Sequence, residues 1–326
     1  MLTLFRTNQL FASILLLLYI ALLRASAFVV PITTEVRGAG LFSQWVYDWI
    51  GVDGTVPGIV AMVLLLLQGF YLNVLVAEHR LASEITLFPG LFYVYACSFL
   101  PEFHYLSPLL LANTFYIIVL GEIYSTYKRI DCAGSIFNIG FWSAVGALFY
   151  PAYVFLLLFG FVSLNILRAF RTRERLMMVV GFIVPFFLLG TWYFWIDKLP
   201  FYLQYLQSGF QFIDFEAVHA SWVYRSLGLS IVLLLIVLFS HRTYMLKQNI
   251  ETQRKINIIF WGLLTSAFTL LYQADIQLDH LLILALPLGT LLSLNFVRMR
   301  PRLAEVIHLL MLAIALGLQY MPVLFP

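Results

Sequence analysis

SIFNIGFWSAVGALFYPAYVFLLLFGFVSLNILR, residues 135–168, contains no charged side chain before its final arginine. A single bilayer crossing needs ~20 apolar residues, so this run is too long for one helix. It is also too apolar for a hairpin in water. Its one interruption is Tyr150-Pro151. Proline lacks the N–H a helix interior requires and clashes with the preceding turn. The stretch therefore reads as two spans, 135–149 and 152–168, folded back on each other at a tight turn over 150–151.

Extending the same reading outward gives spans at 8–30, 57–77, 85–100 and 107–126 before the hairpin. After it come 176–196, 220–240, 256–272, 280–297 and 303–323, eleven in all. Composition agrees: 62% hydrophobic, 11% charged and a mean hydropathy of +0.94. A soluble chain carries about 25% charged residues, so this one could not keep its surface wet. The runs lack the period-two alternation of a membrane β-barrel. Charge sets the orientation. With the N-terminus in the cytoplasm, inner segments hold fifteen of the nineteen basic residues, among them Arg80, Lys128, Arg168, Arg171, Arg173 and Arg175. Only Arg24, Arg37, Lys198 and Arg225 fall outside. Such positive-inside bias would invert if one span were miscounted. The expected fold is an all-α polytopic transmembrane bundle in a bacterial inner membrane, with the C-terminus outside and one domain over 1–326. Ala25-Ser26-Ala27 looks like a signal-peptidase site, whose use would leave ten spans. We favour a retained first helix, with Arg24 snorkelling to the outer interface. Cys97 and Cys132 match no metal or redox spacing and read as free thiols.

Chemistry is harder to find. The phosphate-binding loop, the His-Glu-x-x-His zinc motif and the nucleophile elbow are all missing, and nothing points to nucleic acid or a resident cofactor. The outer face holds the candidates. TTEVRGAGLFSQWVYDWIG, residues 33–51, places Leu41, Trp45 and Trp49 at helical spacing, so a helix over 40–51 should lie in the headgroup layer. It serves as an anchor, or its acids Glu35 and Asp48 rim an outward cavity. A carboxylate there could be general base to an acceptor hydroxyl, or bind a divalent metal. In YQADIQLDHL, residues 272–281, Asp275, Asp279 and His280 crowd a short turn. They could bind substrate, or simply be solvated. Within spans, Gln68, Asn73, Asn113, Glu122, Asn138, Asn165 and His308 should bond to neighbouring helices, with Asn113 and Asn138 the better cavity-lining candidates. Pro185 and Pro287 should kink theirs.

FNIGFWSAVGALFYPAYVFLLLFGFVSLNILRAFRTRERLMMVVGFIVPFF, residues 137–187, resembles a family of multi-spanning bacterial inner-membrane proteins about this long, a domain of unknown function. DHLLILALPLGTLL, residues 279–292, fits the same family. The layout, a first span, an outer loop with an interfacial helix and then many hairpins, is similar to the polyprenyl-phosphate-sugar-dependent membrane glycosyltransferases. That resemblance implies a base at Glu35 or Asp48 and a lipid-linked sugar donor needing no nucleotide. Arg37 and Arg225 would hold the donor's phosphate. No adjacent acidic pair follows the first span here. The alternatives are a non-enzymatic scaffold subunit with a membrane-protein partner and, third, a transporter.

Overall fold

The computed structural model describes residues 2–6, 10–29, 38–52, 54–208, 235, 248–270, 272 and 278–324. Among them there are helices and no strands. Besides two four-residue helices, Leu2–Phe5 and Ser26–Val29, these are in chain order α1 (Leu10–Arg24), α2 (Leu41–Ile50), α3 (Thr55–Glu78), α4 (Phe88–Ala96), α5 (Pro108–Ser125) and α6 (Ala133–Phe149). They continue with α7 (Phe155–Leu167), α8 (Thr172–Trp195), α9 (Leu199–Ser208), α10 (Ile250–Thr269), α11 (Ala285–Arg298) and α12 (Pro301–Leu324). Among the described residues, five helical runs are long and apolar enough to cross a membrane: 55–78, 108–125, 172–195, 278–298 and 301–320. Apart from Leu235, the span expected over 220–240 lies outside the described residues.

Helix α3 shows what solvent this surface is built for. One face buries Leu65, Gln68, Gly69, Leu72 and Val76, yet the other exposes Ile59, Val63, Leu67 and Val74. A helix apolar all round, with only one face packed against protein, leaves the second for lipid. Exposed Val180, Ile183 and Phe187 do the same for α8. The chain is a multi-pass helical membrane protein.

At the centre stand α5 and α11. Ser107 caps α5, its Oγ accepting from the Leu110 N–H at 3.0 Å, and Pro108 fits the first turn, where no N–H is needed. Buried residues run down α5 through Asn113, Tyr116, Leu120 and Tyr124. The α6–α7 hairpin folds as the sequence implies: Tyr150 is extended, Pro151 opens a 3₁₀ turn to Val154, and α7 follows. Against the hairpin lies α8 in very close contact. A Cβ on Gly140 would sit 1.9 Å from the Met178 carbonyl oxygen, and one on Gly181 would sit 2.2 Å from that of Phe137. Only hydrogen fits at either crossing point, the small-residue contact typical of helices packing in lipid.

Three expectations change. The 85–100 span is helical only over Phe88–Ala96, about 14 Å at 1.5 Å per residue against a ~30 Å hydrocarbon core. It is packed inside the bundle, and the chain leaves it for a 3₁₀ turn at Pro101–Phe103. Arg24 explains how that turn is held. It does not snorkel: it is 1% exposed, and its guanidinium donates to the carbonyls of Cys97 (3.2 Å), Phe103 (3.0 Å) and His104 (3.1 Å). A cation at the end of α4 also meets the negative end of its dipole. Pro287, expected in mid-span, occupies the first turn of α11, after a 3₁₀ segment over Leu278–Leu284. There its missing N–H costs nothing. Pro185 lies within α8, which continues through it.

The intramembrane polar residues bond as expected. Gln68 links Tyr93, Thr114 and the Leu110 carbonyl; Asn73 accepts from the Gly90 N–H; Glu122 meets Asn138, Asn165 meets Arg175, and Tyr19 meets His308. Asn113, fully buried, accepts from Tyr153 at 2.6 Å and donates to the Leu282 carbonyl at 3.3 Å, so it lines no cavity. Cys97 and Cys132 are both free thiols.

Candidate functional site

Helix α2 is docked by its backbone side. Gly40 donates its N–H to the Phe149 carbonyl at 2.8 Å, and the Ser43 hydroxyl donates to the same oxygen at 2.8 Å. A Cβ on Gly40 would lie 2.0 Å from the Leu148 carbonyl oxygen, so only glycine permits this approach to the hairpin tip. Tyr47 reaches the other way and donates to the Leu106 carbonyl at 2.8 Å. The helix exists as expected; it buries Leu41, Ser43 and Tyr47 and leaves the two tryptophans of the 41/45/49 stripe toward the surface. Leu41 packs with Leu148, Leu189, Tyr193 and Tyr202, whereas Trp45 is half exposed and Trp49 is 88% exposed. A stripe at spacing four drifts round the helix, because 3.6 residues make a turn. Its first member reaches protein and its last faces outward.

Tyr47 and Asp48 are adjacent, so they point about 100° apart. Tyr47 faces the bundle. Asp48 is exposed and opens onto a cleft of about 650 Å³ between α2 and the α8–α9 corner. Gln44, Trp45, Trp192, Lys198 and Phe201 line it with Asp48. The corner is a tight turn. Asp197 adopts φ +55°, a left-handed conformation Asp tolerates better than most residues, and the Lys198 N–H returns to the Tyr193 carbonyl at 2.9 Å. The stacked rings of Tyr193 and Tyr202, 5.4 Å apart, fasten α9 to α8 beneath it. Tyr205 on α9 accepts from the Leu41 N–H at 3.1 Å and ties the corner to α2.

On the bundle side of α2 lies a second polar group. Asp279, in the 3₁₀ segment before α11, accepts from the Tyr105 hydroxyl at 2.5 Å. His280 Nε2 stands 3.7 Å from the other Asp279 oxygen, and its ring is 6.1 Å from that of Tyr150. Burial, followed by the Asp279 charge, pushes the hydroxyls of Tyr47 and Tyr105 well above their ordinary range. Burial and Asp279 also raise the Glu102 carboxyl, against a backbone hydrogen bond that lowers it. Glu102 Oε2 and Asp279 Oδ1 are buried without a hydrogen-bond partner among the described residues. Beside this group, His104 is held neutral. Burial, then nearby Arg24, lowers it to about 3, while its ring nitrogens meet Ser26 Oγ and the Ser98 carbonyl at 3.2 Å each.

The sequence candidates thus divide. Asp48 lines the open cleft, whereas Asp279 and His280 belong to the buried group behind α2, so these three do not share one cavity. Glu35, Arg37, Arg225 and Asp275 lie outside the described residues. Among the described residues, no three His, Cys, Asp or Glu side chains are grouped so as to hold a metal ion. Sequence reading passed over Lys198, Gln44 and Trp192 as site residues, and Glu102 and Tyr105 as partners of Asp279. For the last two a signal existed in PEFHYLSP, residues 101–108, which packs Glu, His and Tyr between two apolar runs. The cleft residues come from segments about 150 positions apart, and no local pattern joins them.

Residues 51–324 match a family described as "Family of unknown function (DUF6427)". No curated protein matches the chain by sequence. Among solved structures, the chain is similar to ArnT from Cupriavidus metallidurans, crystallised bound to undecaprenyl phosphate, with a TM-score of 0.53 and 15% identity. The likeness covers 94% of this chain and 60% of that one, so the chain spans well under two thirds of its structural neighbour. At that identity the likeness is one of fold.

Proposed function

We propose a function for a chain that belongs to the DUF6427 family, a family of unknown function: it is a minimal membrane transferase that uses a polyprenyl-phosphate-linked sugar in cell-envelope glycan metabolism. In this reading the chain crosses a bacterial inner membrane eleven times, the 85–100 crossing being made by the short α4 together with its non-helical flanks, N-terminus inside and C-terminus outside, which puts α2 and the cleft at the outer headgroup layer. Two facts support it: the basic residues segregate strongly, and the fold is similar to that of a protein crystallised with undecaprenyl phosphate.

The observation that carries the proposal is the cleft. Asp48 is the acid of the first outer loop that opens, among the described residues, onto a space large enough for a substrate, with Lys198 lining the facing wall. Small-ligand sites run about 300–1,000 Å³, and this one falls within that range. The Asp48 carboxylate takes the proton of an acceptor hydroxyl as that oxygen attacks the anomeric carbon. The bond to the lipid phosphate breaks, and the phosphate leaves with the bonding pair. Lys198, with Arg37 and Arg225, offsets its growing charge. Glu35 is the alternative base from the same loop. Asp279, Tyr105 and His280 lie behind α2, which Tyr47 keeps seated through the Leu106 carbonyl.

The test is a surface-glycan and lipid-linked-sugar profile of cells carrying Asp48→Asn, Glu35→Gln or Lys198→Gln, with membrane accumulation of each variant measured alongside. Loss of a glycan with accumulation of its lipid-linked precursor is expected for Lys198→Gln and for one of the two acid variants. Normal profiles in both acid variants would overturn the proposal.

A further inference from the structure

We infer that the cleft between α2 and the α8–α9 corner is a saccharide subsite, stacking a neutral pyranose ring on Trp45 and Trp192. This deepens the transferase reading by making its acceptor a sugar, and for that role it rests on that reading.

The chemistry of the lining decides between ligand classes. Asp48 and Lys198, its two charged residues, stand on facing walls and balance in sum, which leaves room between them for an uncharged ring. Leu41, Ile196 and the aromatic rings would suit an acyl chain, but such a chain would leave a carboxylate, an ammonium and the Gln44 amide unpaired in the same space. A sugar ring is amphipathic in the matching way. Its C–H faces carry weak positive charge and pack on the negative face of an aromatic ring, while its rim of hydroxyls both donates and accepts. Trp45, Trp192 and Phe201 supply faces from three helices; Asp48 accepts, Lys198 donates and Gln44 can do either.

Placement also argues against the plainer role of a headgroup-layer anchor. Trp49 and Trp195, 88% and 82% exposed, already have the outward position such a belt needs. Trp45 and Trp192 are less exposed, at 44% and 56%, and line the cleft from different helices. The Trp45 wall is buttressed before any ligand arrives. Phe42 packs on Trp45 with ring centres 5.2 Å apart, and the corner after Trp192 is closed by the turn at Asp197.

The experiment uses the full chain in lipid nanodiscs, with the methyl glycosides of glucose, galactose and N-acetylglucosamine as probes, read by saturation-transfer NMR. At least one should receive saturation at its ring C–H protons. Trp45→Leu and Trp192→Leu should weaken that binding about 2- to 10-fold, while Trp192→Phe, which keeps a stacking face, should retain most of it. No saturation of any probe, or Leu variants that bind like the parent, would overturn the subsite. Saccharide binding that persists in Asp48→Asn cells with a normal glycan profile would leave the subsite standing and remove the base. Glycan loss in Asp48→Asn without saccharide binding would do the reverse.

Discussion

Gly140→Ala tests whether the contact between α6 and α8 is as close as the structure places it. The added methyl would lie 1.9 Å from the Met178 carbonyl oxygen and 2.8 Å from the Phe182 nitrogen. Ordinary carbon–oxygen contact is well over 3 Å, and both obstacles are backbone, so no rotamer can relieve the overlap. The helices must part by on the order of 1 Å, losing dispersion along the crossing. Overpacking of this kind costs about 1–3 kcal/mol, equivalent to roughly 5- to 150-fold in a folding equilibrium. Gly134 on the same helix provides the control, since nothing lies within 4 Å of its Cβ position. There alanine should be neutral, or stabilising by up to ~1 kcal/mol through helix propensity. The assay is the folded fraction of each variant in mixed micelles as the denaturing detergent rises. Gly140→Ala should shift the midpoint strongly downward and Gly134→Ala should not. The Gly140→Ala/Gly181→Ala pair should cost less than the sum of its members, because one separation relieves both overlaps. If Gly140→Ala matched Gly134→Ala within a few tenths of a kcal/mol, the inference of a backbone-to-backbone contact would be wrong. With it would go the account of how α8 carries Trp192 and Lys198 into register with α2.

Other expectations follow from single bonds and single charges. Tyr47→Phe removes the donor to the Leu106 carbonyl and should cost about 1–3 kcal/mol, visible as faster amide exchange across 41–50 with little change in α5. Unchanged exchange in α2 would mean that this bond does not hold the helix down. His104, lowered from 6.5 to about 3, binds fewer protons folded than unfolded between those values. Its contribution is therefore complete above pH 6.5, declines as pH falls through the window and is lost below about 3. The slope from this one group is at most about 1.4 kcal/mol per pH unit. His104→Gln should flatten acid unfolding across that window, and an unaltered profile would contradict the buried neutral ring.

How much was legible beforehand can be followed through particular residues. The hairpin at Tyr150-Pro151, the helix over Leu41–Ile50 and the interhelix bonding of Gln68 and Asn113 all followed from local rules. A proline without an N–H, aromatic residues at helical spacing and a polar group in hydrocarbon each have few options. The same rules misplaced Arg24. Snorkelling is the default for an arginine near a span end, and nothing nearby in sequence announces that three carbonyls some 70–80 positions away will accept its protons. They also drew α4 longer than Phe88–Ala96, because a run apolar all round carries no mark of whether lipid or protein surrounds it.

The amino-acid sequence by itself determined the solvent, the helical class and the amphipathic helix after the first span, since hydropathy and charge act residue by residue on the choice between water and lipid. Only the tertiary structure decided that Tyr47 and Asp48, neighbours in the chain, serve opposite sides of α2. It joined Asp48 to Trp192 and Lys198, and Asp279 to Tyr105. These pairings depend on where glycines let backbones touch and on how far helices rotate as they pack. Such quantities belong to pairs of distant segments, and no single segment encodes them.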